Sequence, residues 1–307
     1  MQLQTPESRR HVLIGSLMVL AAAITVSSKA IIVKLAYAYP VDAATLIALR
    51  MAFALPFFIA LLLWGHATNG DARISKRDAW AIAILGVVGG YGPMWLDFAG
   101  LAYVTAGLER IILFLYPTMV VILSAVLYKQ RIGKREMLAL ALSYAGVGLV
   151  VGHDLFTLKS AVGHTMLGAS LVAASAFVYA AYLVASGRLI PRVGSSLFTA
   201  YTMLAATLAS GLHFASSTHA VSILQLPAPV YWLSLLMAVV ATVLPAILLN
   251  AGIHRIGSNQ ASLVSSIGPV STIFLASIFL GEGITLLQLA GTGLVIAGVL
   301  IITIKSR

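Results

Sequence analysis

The chain has 307 residues, 60% of them hydrophobic and only 9% Asp, Glu, Lys or Arg, where a soluble domain has about 45–50% apolar and about 25% charged residues. With a mean hydropathy of +1.01, it carries too few charges to coat a water-soluble body of this size, which excludes soluble enzymes, DNA-binding domains and disordered chains. Its net charge of +10 does not call for a nucleic-acid partner, because cytoplasmic loops of membrane proteins collect Lys and Arg.

A spanning helix needs about 20 mostly apolar residues. Ten such runs lie between short polar or turn-forming separators: 12–34, 43–64, 79–100, 105–128, 135–152, 163–187, 195–214, 230–252, 259–280 and 284–304. The first follows Arg9-Arg10 as the core of a signal peptide would. It is too long for one, contains Lys29 and shows no small-x-small cleavage site, so it reads as a retained span. Long helices joined by tight loops predict an all-α, multi-pass integral membrane protein.

Orientation follows from alternate segments. A cytoplasmic N-terminus places Arg9, Arg10, Arg73, Lys76, Arg77, Lys129, Arg131, Lys134, Arg135, Arg188, Arg192, Arg255, Lys305 and Arg307 inside, and only Lys159 in an outside loop. Both termini are then cytoplasmic.

The halves repeat. A shift of 152 aligns 80–151 on 232–303 without a gap and superimposes Trp80 on Trp232, Pro93 on Pro245, Gly100 on Gly252, Pro117 on Pro269, Ile132 on Ile284 and Gly146 on Gly298. Chance would pair Leu with Val, but seldom several rare residues at once. Five helices per half is odd, so the second half enters the membrane inverted. The expected architecture is ten transmembrane helices in two inverted five-helix repeats. The boundaries are a tail at 1–11, a first repeat at 12–152 and a second at 163–304, with a substrate site near the midplane between them.

Proline in a span frees a carbonyl that lipid cannot satisfy. Pro93 and Pro245 mark runs three and eight, and Pro117 and Pro269 mark runs four and nine. Each alone reads as a packing kink; two symmetric pairs point to helices lining a path. Gly89-Gly90-Tyr91-Gly92-Pro93 is the most deformable stretch, so Gly90, Pro93, Pro117, Pro245 and Pro269 are candidate gating positions.

Ionisable groups inside spans cost about 2.5–3.5 kcal/mol each on insertion scales. They are Lys29, Arg50, Asp97, Glu109 and Arg110. Arg50 and Asp97 also read as interface residues or a structural pair, while Lys29, Glu109 and Arg110 suit an outer vestibule or snorkel outward. Lys34, Asp42 and Glu282 lie near span ends, where snorkelling makes them ordinary.

Tyr91, Trp95 and Phe98 share a helix face at i, i+4, i+7, and Tyr179 and Tyr182 share one with Ser175 and Ser186. Lone Trp64, Trp80 and Trp232 suit an interfacial belt, which does not explain mid-span Tyr91 and Tyr179. With Asn250, Ser265, Ser266 and Thr272, these aromatics predict a cavity suited to an amphiphilic organic solute. Gly148-x-x-x-Gly152 and Gly293-x-x-x-Ala297 permit close helix approach, within the bundle or in a homodimer. There is no cysteine, and no His pair has i, i+4 spacing beside a carboxylate, so no metal or cofactor is expected. Nor do Gly194-Ser195-Ser196 or any mid-span His supply a catalytic set, and no enzyme activity is expected.

In the second half, Ala261-Ser262-Leu263 through Gly268-Pro269-Val270, Phe279-Leu280-Gly281-Glu282, Gln288-Leu289-Ala290-Gly291 and Ile296-Ala297-Gly298-Val299 resemble the repeat of EamA-type proteins of the drug/metabolite transporter superfamily. The first half resembles it more loosely, through Tyr116-Pro117, Gly133 and Ala145-Gly146-Val147, with Gln130 where the repeat carries an acid. The look is closest to bacterial aromatic amino-acid exporters. The resemblance implies a central cavity lined by helices 1, 3, 4, 6, 8 and 9 and export of small metabolites, notably amino acids.

The expected function is thus an inner-membrane exporter of amino acids or related amphiphilic metabolites working by alternating access. Lys29 would meet a carboxylate; Tyr91, Trp95, Tyr179 and Tyr182 would contact the side chain; Asn250 and Ser265 would hydrogen-bond polar groups. The rival readings are a multidrug or nucleotide-sugar transporter of the same superfamily, then a membrane-embedded enzyme or a channel.

Overall fold

The structure, a computed structural model, describes residues 6–69, 74–129, 131–157, 162–217 and 222–304. Arg73, Gln130, Lys159, Lys305 and Arg307, used in the orientation and repeat arguments, lie outside the described residues. Among the described residues, ten helices are long and apolar enough to cross a membrane: α1 (Val12–Ala36), α2 (Ala43–Thr68), α3 (Lys76–Leu101), α4 (Ala106–Tyr128), α5 (Lys134–His153), α6 (Gly163–Val193), α7 (Ser195–Ser216), α8 (Ala228–Gly257), α9 (Leu263–Leu280) and α10 (Leu286–Thr303). Ten spans bring both ends of the chain to one side, called here the terminal side.

Short polar residues start several of these helices by satisfying their first amides. Asp42 Oδ1 accepts from Thr45 N at 2.8 Å, Ser75 Oγ from Asp78 N at 3.1 Å, Thr105 Oγ1 from Leu108 N at 3.1 Å and Thr285 Oγ1 from Gln288 N at 3.1 Å. Glu282, expected to snorkel, instead reaches α4, where its carboxylate accepts from Ala106 N at 2.8 Å and Gly107 N at 3.2 Å. Those amides would otherwise be orphaned at the positive end of the helix dipole.

The four paired prolines sit where spans break and restart, and the breaks keep the 152-residue register. In α3 a π-helical turn, Gly86–Tyr91, precedes the helix that restarts at Gly92 with Pro93 in its first turn. In α8 the turn Val239–Val243 precedes Pro245 in the same way. The wider turn absorbs the bond that proline cannot make: Gly92 N donates to Val87 O, and Leu244 N to Val239 O. In α4 the helix is interrupted at 114–115 and restarts with Pro117 in its first turn; α9 is interrupted at 266–267 before Pro269. The second helices of α4 and α9 both end on a left-handed residue, Lys129 (φ 53°) and Gly281 (φ 68°).

The halves interleave. α1 packs along α8 as α6 packs along α3, while α2 meets α7, α4 meets α9 and α5 meets α10. Glycines permit the closest crossings: a Cβ on Gly100 would stand 3.0 Å from Gly168 O, one on Gly252 3.0 Å from Gly15 O, and one on Gly291 2.7 Å from Gly146 O. The stripe expected to pack inside the bundle does not. A Cβ on Gly148, Gly152 or Gly293 would meet no neighbouring helix within 4 Å, because the α5–α10 contact runs through Gly146, Gly291 and Gly298 on another face. The largest core cluster, with Ile31, Val33, Leu46, Ile47, Met51, Phe98, Leu101 and Met237, fills mainly the half of the bundle away from the terminal side. It leaves the other half to a cavity.

Candidate functional site

A cavity of about 670 Å³ is lined from α1 (Ala22, Ala23, Val26, Lys29), α2 (Arg50), α3 (Pro93, Met94, Asp97), α4 (Arg110, Leu113, Phe114, Tyr116), α6 (Ser175, Tyr179), α8 (Ala241 to Ile253), Ala261, and Ser265 of α9. These are the six helices that the resemblance implied, joined by Arg50. The lining runs from Lys29 to Ile253 and Ala261, near the terminal side, and beyond Lys29 the stretch Ala30–Val33 is buried in the core.

The depth of the cavity is charged. Lys29 Nζ lies 2.5 Å from Asp97 Oδ2 and 3.0 Å from Glu109 Oε1. Glu109 is fully buried, and Asp97 is 3% exposed. α1 brings the ammonium to a point where α3 and α4 converge, so three costly groups are placed together and offset one another. Asp97 and Arg50 do not pair; Asp97 takes Lys29. Arg50 donates from Nε to Thr242 Oγ1 at 3.1 Å and lays its guanidinium 5.7 Å from the Phe98 ring centroid. Thr242 belongs to the π-helical turn of α8 and itself donates to Met237 O, five residues back, at 3.1 Å.

Three polar atoms here lack a partner among the described residues: Asp97 Oδ1, Glu109 Oε2 and Arg110 Nε. The Arg110 guanidinium lies against Gly268, where a Cβ would come within 2.7 Å of it. Gly268 O accepts from Ser27 Oγ at 2.9 Å, tying α1 to the break in α9. Just past α1, burial, with Asp97 and Asp42 nearby, pushes the Tyr37 hydroxyl far above its usual pKa. It stays protonated and donates to Phe98 O at 2.7 Å.

Lys29, Tyr179 and Ser265 of the expected binding set line this cavity, as do Pro93 and Pro245 of the gating set. Tyr116 meets Tyr179 edge to face at 5.3 Å, and Tyr182 stacks behind Tyr179 at 6.0 Å. Gly89 makes room for the Tyr182 ring, and Gly90 lies close to Ala206 of α7. Tyr91 and Trp95 turn elsewhere: the Tyr91 hydroxyl hydrogen-bonds His213 Nδ1 of α7, and Trp95 packs on the same imidazole at 5.8 Å. Phe98 stays behind in the core, fully buried under Arg50. Asn250 is exposed and lines a second cavity of about 490 Å³ between α2, α7 and α8, which shares Thr242 and Ala246 with the first. Pro117 and Pro269 flank the breaks in α4 and α9.

The sequence reading named Arg50, Asp97, Glu109 and Arg110 as costly charges but left them outside the binding set. Their common signal was their expense in a membrane. His213 carried no such signal, and its partnership with Tyr91 required the α3–α7 contact.

Ten spans among the described residues, in inverted repeats around a cavity, have the architecture of a membrane transporter. The chain belongs to the EamA-like transporter family, which matches residues 13–152 and again 166–304. It is a multi-pass membrane protein of the transporter class, built to handle a small-molecule substrate. "Uncharacterized transporter YcbK" of Bacillus subtilis (strain 168) is 32% identical over 287 residues, spanning 92% of this chain and 91% of that protein. "Probable terminal-alkyne amino-acid exporter" of Streptantibioticus cattleyicolor is 40% identical over 58 residues, 19% of this chain and 20% of that protein. A solved structure described as "Crystal structure of protein" shares the fold, with a TM-score of 0.62 at 18% identity over 95% of this chain and 97% of that one.

Proposed function

We propose that the protein is an inner-membrane exporter of amino acids or related amphiphilic metabolites, working by alternating access with both termini in the cytoplasm. The observation that carries this reading is that Arg110 and Asp97, which keep a guanidinium nitrogen and a carboxyl oxygen without a partner among the described residues, line one cavity. A zwitterion answers both: its carboxylate meets Arg110, with Arg50 near, and its ammonium meets Asp97. Tyr116, Tyr179 and the apolar wall of α8 receive the side chain. Lys29, held by two carboxylates, positions them. With cytoplasmic termini the cavity faces the cytoplasm, where an export cargo loads. The partial match to an amino-acid exporter supports the same substrate class. The repeats at 12–152 and 163–304 would exchange conformations about the site, bending at the four prolines.

One observation favours a second reading. Three cations, Lys29, Arg50 and Arg110, line the cavity against one lining carboxylate, which also suits a nucleotide-sugar phosphate. Counterflow of radiolabelled amino acids in proteoliposomes, run beside a labelled nucleotide sugar, decides between them. Saturable amino-acid exchange is expected; exchange of the nucleotide sugar alone would replace the proposal with the second reading.

A further inference from the structure

The second cavity lies where α8 parts from a neighbour. α8 packs on α2 over residues 228–243; past that π-helical turn and Pro245 it stays on α1 and leaves α2. The space left beside α2 and α7 is the cavity of about 490 Å³. Its α8 lining runs from Thr242 to Asn250, eight residues or about 12 Å of helix toward the terminal side. That is most of one leaflet of a hydrocarbon core about 30 Å thick. At the outer end stand Trp64, near the close of α2, and Ser195 and Ser196, which start α7.

The walls of this groove differ. α2 gives an aromatic and aliphatic wall from Phe57 to Trp64, while Ser196 and Thr199 of α7 and Thr242 and Asn250 of α8 give hydrogen-bonding groups. The rim at Ala60, Trp64 and Ile247 is exposed at membrane depth, and so is Asn250. A carboxamide turned to hydrocarbon is costly, and a polar group brought beside it offsets that cost. The groove also meets the central cavity. Thr242 and Ala246, one helical turn apart, line both. Leu249 and Ile253 face the central cavity, and Ile247 and Asn250 the groove, so this half of α8 is the partition, with the π-helical turn at its base. At the inner end Thr242 accepts from Arg50 at 3.1 Å, which puts the groove against the charged depth.

We propose that the gap between α2, α7 and α8 is a lateral entrance, through which an amphiphilic cargo passes from the terminal-side leaflet into the central cavity. The cargo's apolar chain slides on the α2 wall while its polar head moves past Ser196, Asn250 and Thr199 to Thr242 and Arg50. The ligand class is a molecule with one compact polar head and an alkyl or aryl chain, taken from the bilayer rather than from water. Each added methylene raises the concentration of such a molecule in the leaflet about fourfold. A short, hydrophilic solute gains nothing from this route and enters from the aqueous end. This inference rests on the central cavity being the transport site and takes its probes from the amino-acid reading.

The test uses the full-length protein in proteoliposomes and two labelled probes, 2-aminodecanoic acid and L-alanine. Ile247→Trp narrows the mouth from an exposed position outside the central lining. It is expected to slow exchange of the long-chain acid about tenfold and to leave alanine within about twofold of wild type. Ile247→Ala, which widens the mouth, is expected to slow neither. In parallel, 2-aminodecanoic acid with a terminal diazirine is photolysed in the vesicles. It is expected to label peptides covering 57–64 of α2 and 195–203 of α7, and Ile247→Trp is expected to remove that label. Equal slowing of both acids, or of neither, would overturn the entrance, as would a label confined to α1, α4 and α6. A label on α2 and α7 that persists in Ile247→Trp would mark an adhering lipid-like chain only and would also overturn it. If the wild type exchanges neither acid, the amino-acid reading falls and the photolabel alone decides the entrance.

Discussion

Lys29 and Asp97, 68 residues apart in sequence, meet at 2.5 Å where α1 crosses α3, and the same ammonium holds Glu109. Removing one partner of a buried ion pair costs about 3–5 kcal/mol, because the other is left charged and alone. Lys29→Ala is expected to lower the Tm in detergent by roughly 10 °C. Adding Asp97→Asn and Glu109→Gln to it should recover most of that loss. Equal melting of the single and triple variants would show that the charges are not what Lys29 stabilises.

Arg50 acts by shape as well as charge. Its guanidinium reaches Thr242, Phe98 and, at 3.8 Å, Met94 Sδ, a planar set that an ammonium cannot reproduce. Arg50→Lys should raise the KM for counterflow about tenfold, the equivalent of 1.4 kcal/mol. Thr242→Val should raise it less. Unchanged kinetics in Arg50→Lys would reduce its role to charge alone.

Glu282 satisfies two amides at the start of α4 from a loop in the other half. Glu282→Ala should cost about 1–2 kcal/mol and speed hydrogen exchange across the first turn of α4. Glu282→Gln, which accepts without charge, should fall between. Wild-type exchange in the alanine variant would refute the cap.

The glycines divide into those that set helix crossings and those that do not. Gly252→Ala would press a Cβ toward Val19 and Gly15 O, an overpacking expected to cost about 1–3 kcal/mol. Gly293→Ala meets open space and should be neutral or gain up to about 1 kcal/mol from helix propensity. Thermal melts of the two variants in one detergent check the contrast.

Ten spans and their inversion were legible because each rests on a local property: apolar length, turn residues, or rare residues in register. The proline pairs were also legible, since Pro93 and Pro245 follow matching π-helical turns and Pro117 and Pro269 matching interruptions. Side-chain direction was less so. Tyr91 and Trp95 look like cavity residues by spacing alone, but His213 of α7 draws them to another face. Gly148 and Gly293 looked like contact glycines until Gly146, Gly291 and Gly298 proved to hold the α5–α10 crossing. Lys29 read as a free cation because neither Asp97 nor Glu109 is near it in sequence.

The cap on α4 also ties the halves together. The loop that carries Glu282 belongs to the second repeat and the amides it satisfies to the first, so any rocking of one repeat against the other must either carry that loop along with α4 or break both hydrogen bonds.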